Sequence, residues 1–272
     1  MNTRAIRAIV RKDLRISMQN KAVTIPVIIV PLLLMIVLPV VAVVVPSQIG
    51  GAEEMFEELG AFLNNMPEVM RRQLAGLEGV QVWIVLAVAF VFAPFFLIIP
   101  LMVASVMAAD SFAGEKERKT LEALLYTPTS DAELFLAKVL AALAPAVAIS
   151  WLAFVLYGVA VNAAAWPAMG RIFFPTWTWI ALILWVVPAA AGLGLSTMVL
   201  VSSKVSSFQE ANQLGGVIVV PVLLLVFGQI GGVLYFSLPV VLLIGLALWV
   251  IDGILIALGV KTFQRGELVA RL

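Results

Sequence analysis

The 272-residue chain contains no cysteine and no histidine. That excludes disulfides, thiol redox chemistry, Cys/His zinc sites, haem held by His or Cys, and acid–base catalysis by imidazole. Charge is also scarce, since only 12% of the residues are Asp, Glu, Lys or Arg. A soluble domain carries about a quarter. The 17 basic and 16 acidic residues leave a net charge of +1, so there is no basic excess to hold nucleic acid. What is abundant is apolar surface: 63% of the residues are hydrophobic, more than a water-soluble globule of this size can cover. The composition is that of an integral membrane protein.

Five uncharged stretches exceed thirty residues: Lys21 to Glu53, Glu78 to Asp110, Lys138 to Arg171, Arg171 to Lys204, and Glu210 to Asp252. About 20 apolar residues span a bilayer. The last stretch would measure roughly 60 Å as one helix, so it must break, and Gly231-Gly232 and Phe236-Ser-Leu-Pro239 supply the break. The expected spans are 22–45, 81–108, 138–163, 177–201, 213–235 and 239–259. The first has a basic flank but is too long for a signal-peptide core and lacks a small-residue cleavage site, so it is read as a retained helix.

Basic residues fix the expected orientation. Fourteen fall on one side: Arg4, Arg7, Arg11, Lys12, Arg15, Lys21, Lys116, Arg118, Lys119, Lys138, Lys204, Lys261, Arg265 and Arg271. Arg71, Arg72 and Arg171 fall on the other. The positive-inside rule puts the first group, with both termini, in the cytoplasm.

Residues 1–21 form a cytoplasmic segment with helical periodicity. Ile6, Ile9, Val10, Leu14 and Met18 share one face, and Arg4, Arg7, Arg11 and Arg15 cover the other. The segment is either a topology-setting basic flank or an interfacial helix meeting acidic lipid. The external loop 46–80 is acidic, with Glu53, Glu54, Glu57, Glu58, Glu68 and Glu78. Met55, Phe56, Leu59, Phe62 and Leu63 mark a short external helix within it. In the cytoplasmic loop 109–137, charges cluster over 115–122 and Leu121, Leu124 and Leu125 follow on one face. Pro128 ends that helix, and Thr129, Ser130 or Asp131 caps the next. Such a helix is either a docking site for a soluble partner or a solvated connector.

The run Asp110-Ser-Phe-Ala-Gly-Glu-Lys-Glu-Arg-Lys-Thr-Leu-Glu-Ala-Leu-Leu-Tyr-Thr-Pro-Thr-Ser130, then Glu133-Leu and Ala137-Lys-Val-Leu140, resembles the ABC-2 type permease family, the membrane subunits of ATP-binding-cassette exporters. Asn212-Gln-Leu-Gly-Gly216 at the opening of an apolar span and Phe263-Gln-Arg-Gly-Glu267 in the tail agree with it. The resemblance implies an all-α integral membrane protein: one ABC-2 type transmembrane domain over residues 1–272, with six transmembrane helices, an N-terminal interfacial helix and a cytoplasmic coupling helix between spans 2 and 3. It implies a dimer of permeases, homomeric or heteromeric, in the plasma membrane, working with separate ABC ATPase subunits. The coupling role then falls on Glu115, Lys116, Glu117, Arg118, Lys119, Thr120, Leu121 and Glu122. Some family members carry a larger external domain between spans 1 and 2; the roughly 35 residues here argue against a receptor role. No G-x-x-x-x-G-K-[ST] motif occurs, so no cofactor is expected on this chain and ATP belongs to the partner ATPase.

Asp252 is the one ionisable residue that this reading puts inside a span, a costly placement that points to a pathway or gating role, or to a helix contact. Pro94, Pro100, Pro145, Pro188 and Pro221 can kink their spans, and Gly192-Leu-Gly-Leu-Ser196 suits close helix approach. Trp166, Trp177, Trp179 and Tyr157 are expected in an outer aromatic belt. The expected function is ATP-driven export through this permease subunit, which is not itself an enzyme. The alternatives are an ion-coupled secondary transporter using Asp252, or a non-transporting membrane assembly subunit.

Overall fold

A computed structural model describes residues 2–48, 66, 68–77, 79–120, 129–230 and 233–262. The described residues are helical with no strand. Among the described residues eight helices follow one another: α1 (Thr3–Gln19), α2 (Lys21–Pro46), α3 (Glu68–Leu74), α4 (Val80–Glu117), α5 (Asp131–Met169), α6 (Trp177–Ser202), α7 (Phe208–Gln229) and α8 (Leu238–Thr262). All but α1 and α3 are long and apolar enough to cross a membrane.

Local chemistry sets the helix ends. The Asn2 side chain accepts from the Ala5 amide and starts α1. Asn20 closes α1 through its own amide and opens α2 by accepting from the Ala22 amide at 3.1 Å. Of the three caps the sequence offered for α5, Ser130 is the one used, in a reciprocal capping box with Glu133. Gly170, left-handed at φ 60°, ends α5, a conformation that costs glycine nothing.

Burial ranks the helices. In its most apolar window α4 is 72% buried and α6 61%, whereas α8 is only 17% buried. The bundle is therefore built around α4 and α6, and α2, α5, α7 and α8 surround them with apolar side chains left facing outward. Gly194 lets α6 approach α4, where the Ser105 hydroxyl donates to the Gly194 carbonyl at 3.3 Å. This is the close packing expected of the Gly192–Ser196 run.

Several helices extend beyond the expected spans. The helix of the second span runs on to Glu117 and that of the third starts at Asp131, because ion pairs allow charged residues to continue both helices past the apolar region. Residues 115–117 are thus the last turn of α4 rather than part of a detached helix, and residues 121–128 lie outside those described. The helix of the fifth span starts at Phe208, capped by Ser207, and residues 233–235 are not part of it. The external helix expected over 55–63 also lies outside the described residues. Trp166 and Trp177 are exposed, as a belt requires, but Tyr157 and Trp179 are fully buried. Those two stack on each other at 5.1 Å and close an aromatic core with Phe96, Phe154 and Phe174.

Three of the spans contain π-helical turns, α4 two of them, and the one at Leu86–Val91 is tied to three neighbours. Tyr157 of α5 donates to the Val88 carbonyl at 2.7 Å, Trp179 of α6 to Ala89 at 2.8 Å, and Gln229 of α7 to Phe90 at 2.6 Å. Pro94 supplies no amide hydrogen to the Phe90 carbonyl, so that oxygen is free for Gln229. Trp83 likewise donates at 2.8 Å to Ala42, the carbonyl that Pro46 leaves free. In an apolar bundle each freed carbonyl needs such a donor.

Candidate functional site

The end of the bundle that carries α1 concentrates the buried charge. The exposed face of α1 holds Arg4, Arg7, Arg11 and Arg15, as its periodicity requires. Its inward stripe is Ile6, Ile9, Asp13 and Ser17, so the stripe turns polar halfway along, and Met18 is half exposed. The α4 helix meets this polar half with a second π turn, Asp110–Gly114, followed by Glu115.

Two linked clusters result. In the first, Asp110 accepts from the Ser17 hydroxyl at 2.7 Å, the Asn20 amide at 3.0 Å and the Arg118 guanidinium at 3.0 Å. In the second, Lys138 of α5 lies 2.5 Å from Glu115, 3.6 Å from Asp13 and 2.6 Å from the Ser111 carbonyl. The Ser111 hydroxyl donates to Asp13 at 2.8 Å, and Lys12 pairs with both Glu115 and Asp13. Burial disfavours the Lys12 ammonium, but the Glu115 and Asp13 carboxylates outweigh it and hold its pKa above the ordinary 10.5. Lys138 also stands 5.2 Å from the Phe112 ring centroid.

Asp13, Asp110 and Glu115 are matched by Lys12, Arg118 and Lys138, which leaves the cluster without net charge to attract an ion. Among the described residues no group of His, Cys, Asp or Glu has the arrangement of a metal site. Desolvating so many charges returns little net stability, but their mutual satisfaction allows one arrangement. The arrangement joins α1, α4 and α5. Lys116 donates to the Val205 carbonyl at 3.0 Å and Glu117 accepts from the Phe208 amide at 2.9 Å, which ties α4 to the α6–α7 turn as well.

The residues expected to couple to a motor therefore divide. Glu115 is 2% exposed and committed to Lys12 and Lys138. Lys116 is half-buried. Glu117, Arg118, Lys119 and Thr120 are exposed, with Lys119 at φ 55° where the chain leaves α4. Leu121 and Glu122 lie outside the described residues. Sequence reading missed Asp13, Ser17, Asp110, Ser111 and Lys138. The available signal was the 6, 9, 13, 17 spacing, which puts an acid and a hydroxyl on the apolar stripe of α1.

Asp252 is also not alone as a buried ionisable group, since Asp110 and Lys138 are as deeply buried. It sits on the inward stripe of α8 against Gly192 of α6, and neither carboxylate oxygen has a hydrogen-bond partner among the described residues. A Cβ at Gly192 would collide with it.

A family model described as ABC-2 family transporter protein matches residues 7–262. The chain belongs to this family. No curated protein and no solved structure matches it. With six apolar helices it is an integral membrane protein, and its family makes it a permease of the ABC transporter class. Every element of the charged cluster lies within the matched residues.

Proposed function

We propose that this ABC-2 permease forms the pathway for ATP-driven export and is driven by a separate ABC ATPase docked at the charged end of the bundle. One observation carries the reading: α4, the most buried helix, ends at Glu117, and the exposed residues Glu117 to Thr120 follow directly on its last turn. A push on those residues acts directly on the core of the bundle. Glu117, Arg118, Lys119 and Thr120, with Leu121 and Glu122 beyond them, form the contact, and Glu115 and Lys116 hold its base. Charged side chains of both signs orient the docked surface through charge-assisted hydrogen bonds.

In this reading the charged end is cytoplasmic, both termini lie there, and the membrane is the plasma membrane, as the distribution of basic residues favours. The arginine face of α1 lies against anionic headgroups. Two permease subunits, identical or related, pair around the pathway. ATP binds only to the ATPase, and its tighter binding to one of two states supplies the work. The Lys138–Glu115–Asp13 contacts make α1, α4 and α5 move together. Asp252 acts as a gating contact where α8 meets α6.

Co-purification of the cognate ATPase with the membrane-embedded chain tests the docking. Reversing both exposed charges, Glu117→Lys with Lys119→Glu, should weaken association about tenfold or more, equivalent to roughly 1.4 kcal/mol, and uncouple ATP hydrolysis from transport. Unchanged association and unchanged ATPase activity in that variant would overturn the assignment.

A further inference from the structure

At the opposite end of the bundle a cavity of about 840 Å³ opens between α4, the α5–α6 turn and the start of α8. Its size is that of a ligand pocket. Val85 and Phe90 of α4, Ile180 of α6 and Phe236 before α8 make its walls apolar. The mouth is marked by Ile172 and Trp177, which are 74% and 80% exposed, as residues at a membrane–water boundary are. One cation stands there, Arg171, with the hydroxyls of Thr178 and Ser237 among the lining groups.

Arg171 differs from the other basic residues described at this end. Arg71 donates to the Met66 carbonyl and Arg72 pairs with Glu68 at 2.6 Å. Arg171 is exposed and has no hydrogen bond or ion pair among the described residues. Two other hollows among the described residues lack this combination. One, on the outer face of α5, is lined by apolar groups and by Asn162, whose amide is engaged with Gly158, Phe173 and Phe174. The other, between α2 and α5, is apolar throughout. Of these three, the first joins an apolar lining to a guanidinium with no partner among the described residues.

We infer that this cavity binds an amphiphile with a single apolar chain and an anionic head, the chain lying along Phe90 and Phe236 and the head on Arg171. A guanidinium takes a carboxylate or phosphate through two parallel hydrogen bonds, and the hydroxyls of Thr178 and Ser237 can share the remaining oxygens. The inference names a substrate class for the permease and rests on the export reading above. In that reading the site is where the cargo waits on the outer side. The lining includes Ala89 and Phe90, the residues whose carbonyls are held by Trp179 and Gln229, so the cavity touches the point where α4 is fastened to α6 and α7.

The test is photolabelling of the full chain in phosphatidylcholine nanodiscs, with diazirine-bearing palmitic acid and the equal-length alcohol as probes. The acid should label the cavity about tenfold more than the alcohol, the ratio expected for one charge-assisted contact. Arg171→Gln, a change at an exposed position, should bring that ratio close to one. Thr178→Trp should fill the cavity and reduce both labels. Added phosphatidylglycerol that displaces the acid supports the anionic-head chemistry and names a bilayer lipid as its source; displacement by palmitate alone supports a free acid. Equal labelling by acid and alcohol, or a ratio untouched by Arg171→Gln, overturns the inference and leaves a slot filled by bilayer chains or by the protein's own external loop. No ATPase is present in this measurement. Failure of the docking experiment with Arg171-dependent labelling intact therefore counts against the export reading alone.

Discussion

The Lys138 ammonium lies 2.5 Å from a Glu115 carboxylate oxygen, and the two side chains are 0% and 3% exposed. The pair joins the start of α5 to the end of α4, and through Asp13 it includes α1. Three helices that meet at the charged end are thus positioned by one another's charges.

Removing one partner should be costly. Lys138→Met leaves Glu115 and Asp13 with Lys12 as their one shared cation, so one buried charge is uncompensated, and we expect a loss of about 3–5 kcal/mol. Thermal unfolding of the purified chain would record it. Adding Glu115→Gln should recover more than half of the loss, because the stranded charge is then gone. Strictly additive losses would show that the two residues are not coupled.

The fastening of Phe90 by Gln229 makes a different prediction. Gln229→Leu leaves the carbonyl without a donor and should cost about 1 kcal/mol, within the range measured for hydrogen bonds between membrane helices. Pro94→Ala returns an amide to that carbonyl, so in its background Gln229→Leu should cost little. An equal loss in both backgrounds would sever the link between the proline and the glutamine.

Gly192 and Asp252 give a steric test. Gly192→Ala places a methyl group where the carboxylate lies and should destabilise by about 1–3 kcal/mol. Asp252→Ala clears that space, and the double variant should regain most of the stability. The gating role is examined separately with Asp252→Asn, which preserves size and removes charge. It should change the transport rate, and transport at the parent rate would reduce Asp252 to a packing group.

Much of this was legible in the sequence. Charge-free stretches gave the six spans, since a span requires little beyond length and apolarity. Lys138 counts in the sequence as a cytoplasmic basic residue and Glu115 as part of the coupling helix, because the partners of both lie far away along the chain and periodicity does not carry distant pairing. Asp13 and Ser17 were hidden by the arginines around them, although their spacing puts them in line with Ile6 and Ile9. Tyr157 and Trp179 were placed in the aromatic belt by their position near a span end. The structure buries them because their polar hydrogens find the carbonyls of a π turn, a local geometry that the hydrophobic pattern does not reveal.

The π turn at Asp110–Gly114 also sets the aim of everything after it. A helical residue turns the chain by roughly 100°, so the additional residue in this turn decides which way the tip of α4 points. Losing a single amino acid there would swing Glu115 away from Lys138 by about a quarter of a revolution and send Glu117 to Thr120 toward a different compass bearing. The phase of the protruding tip is therefore held by a count of residues as well as by their chemistry.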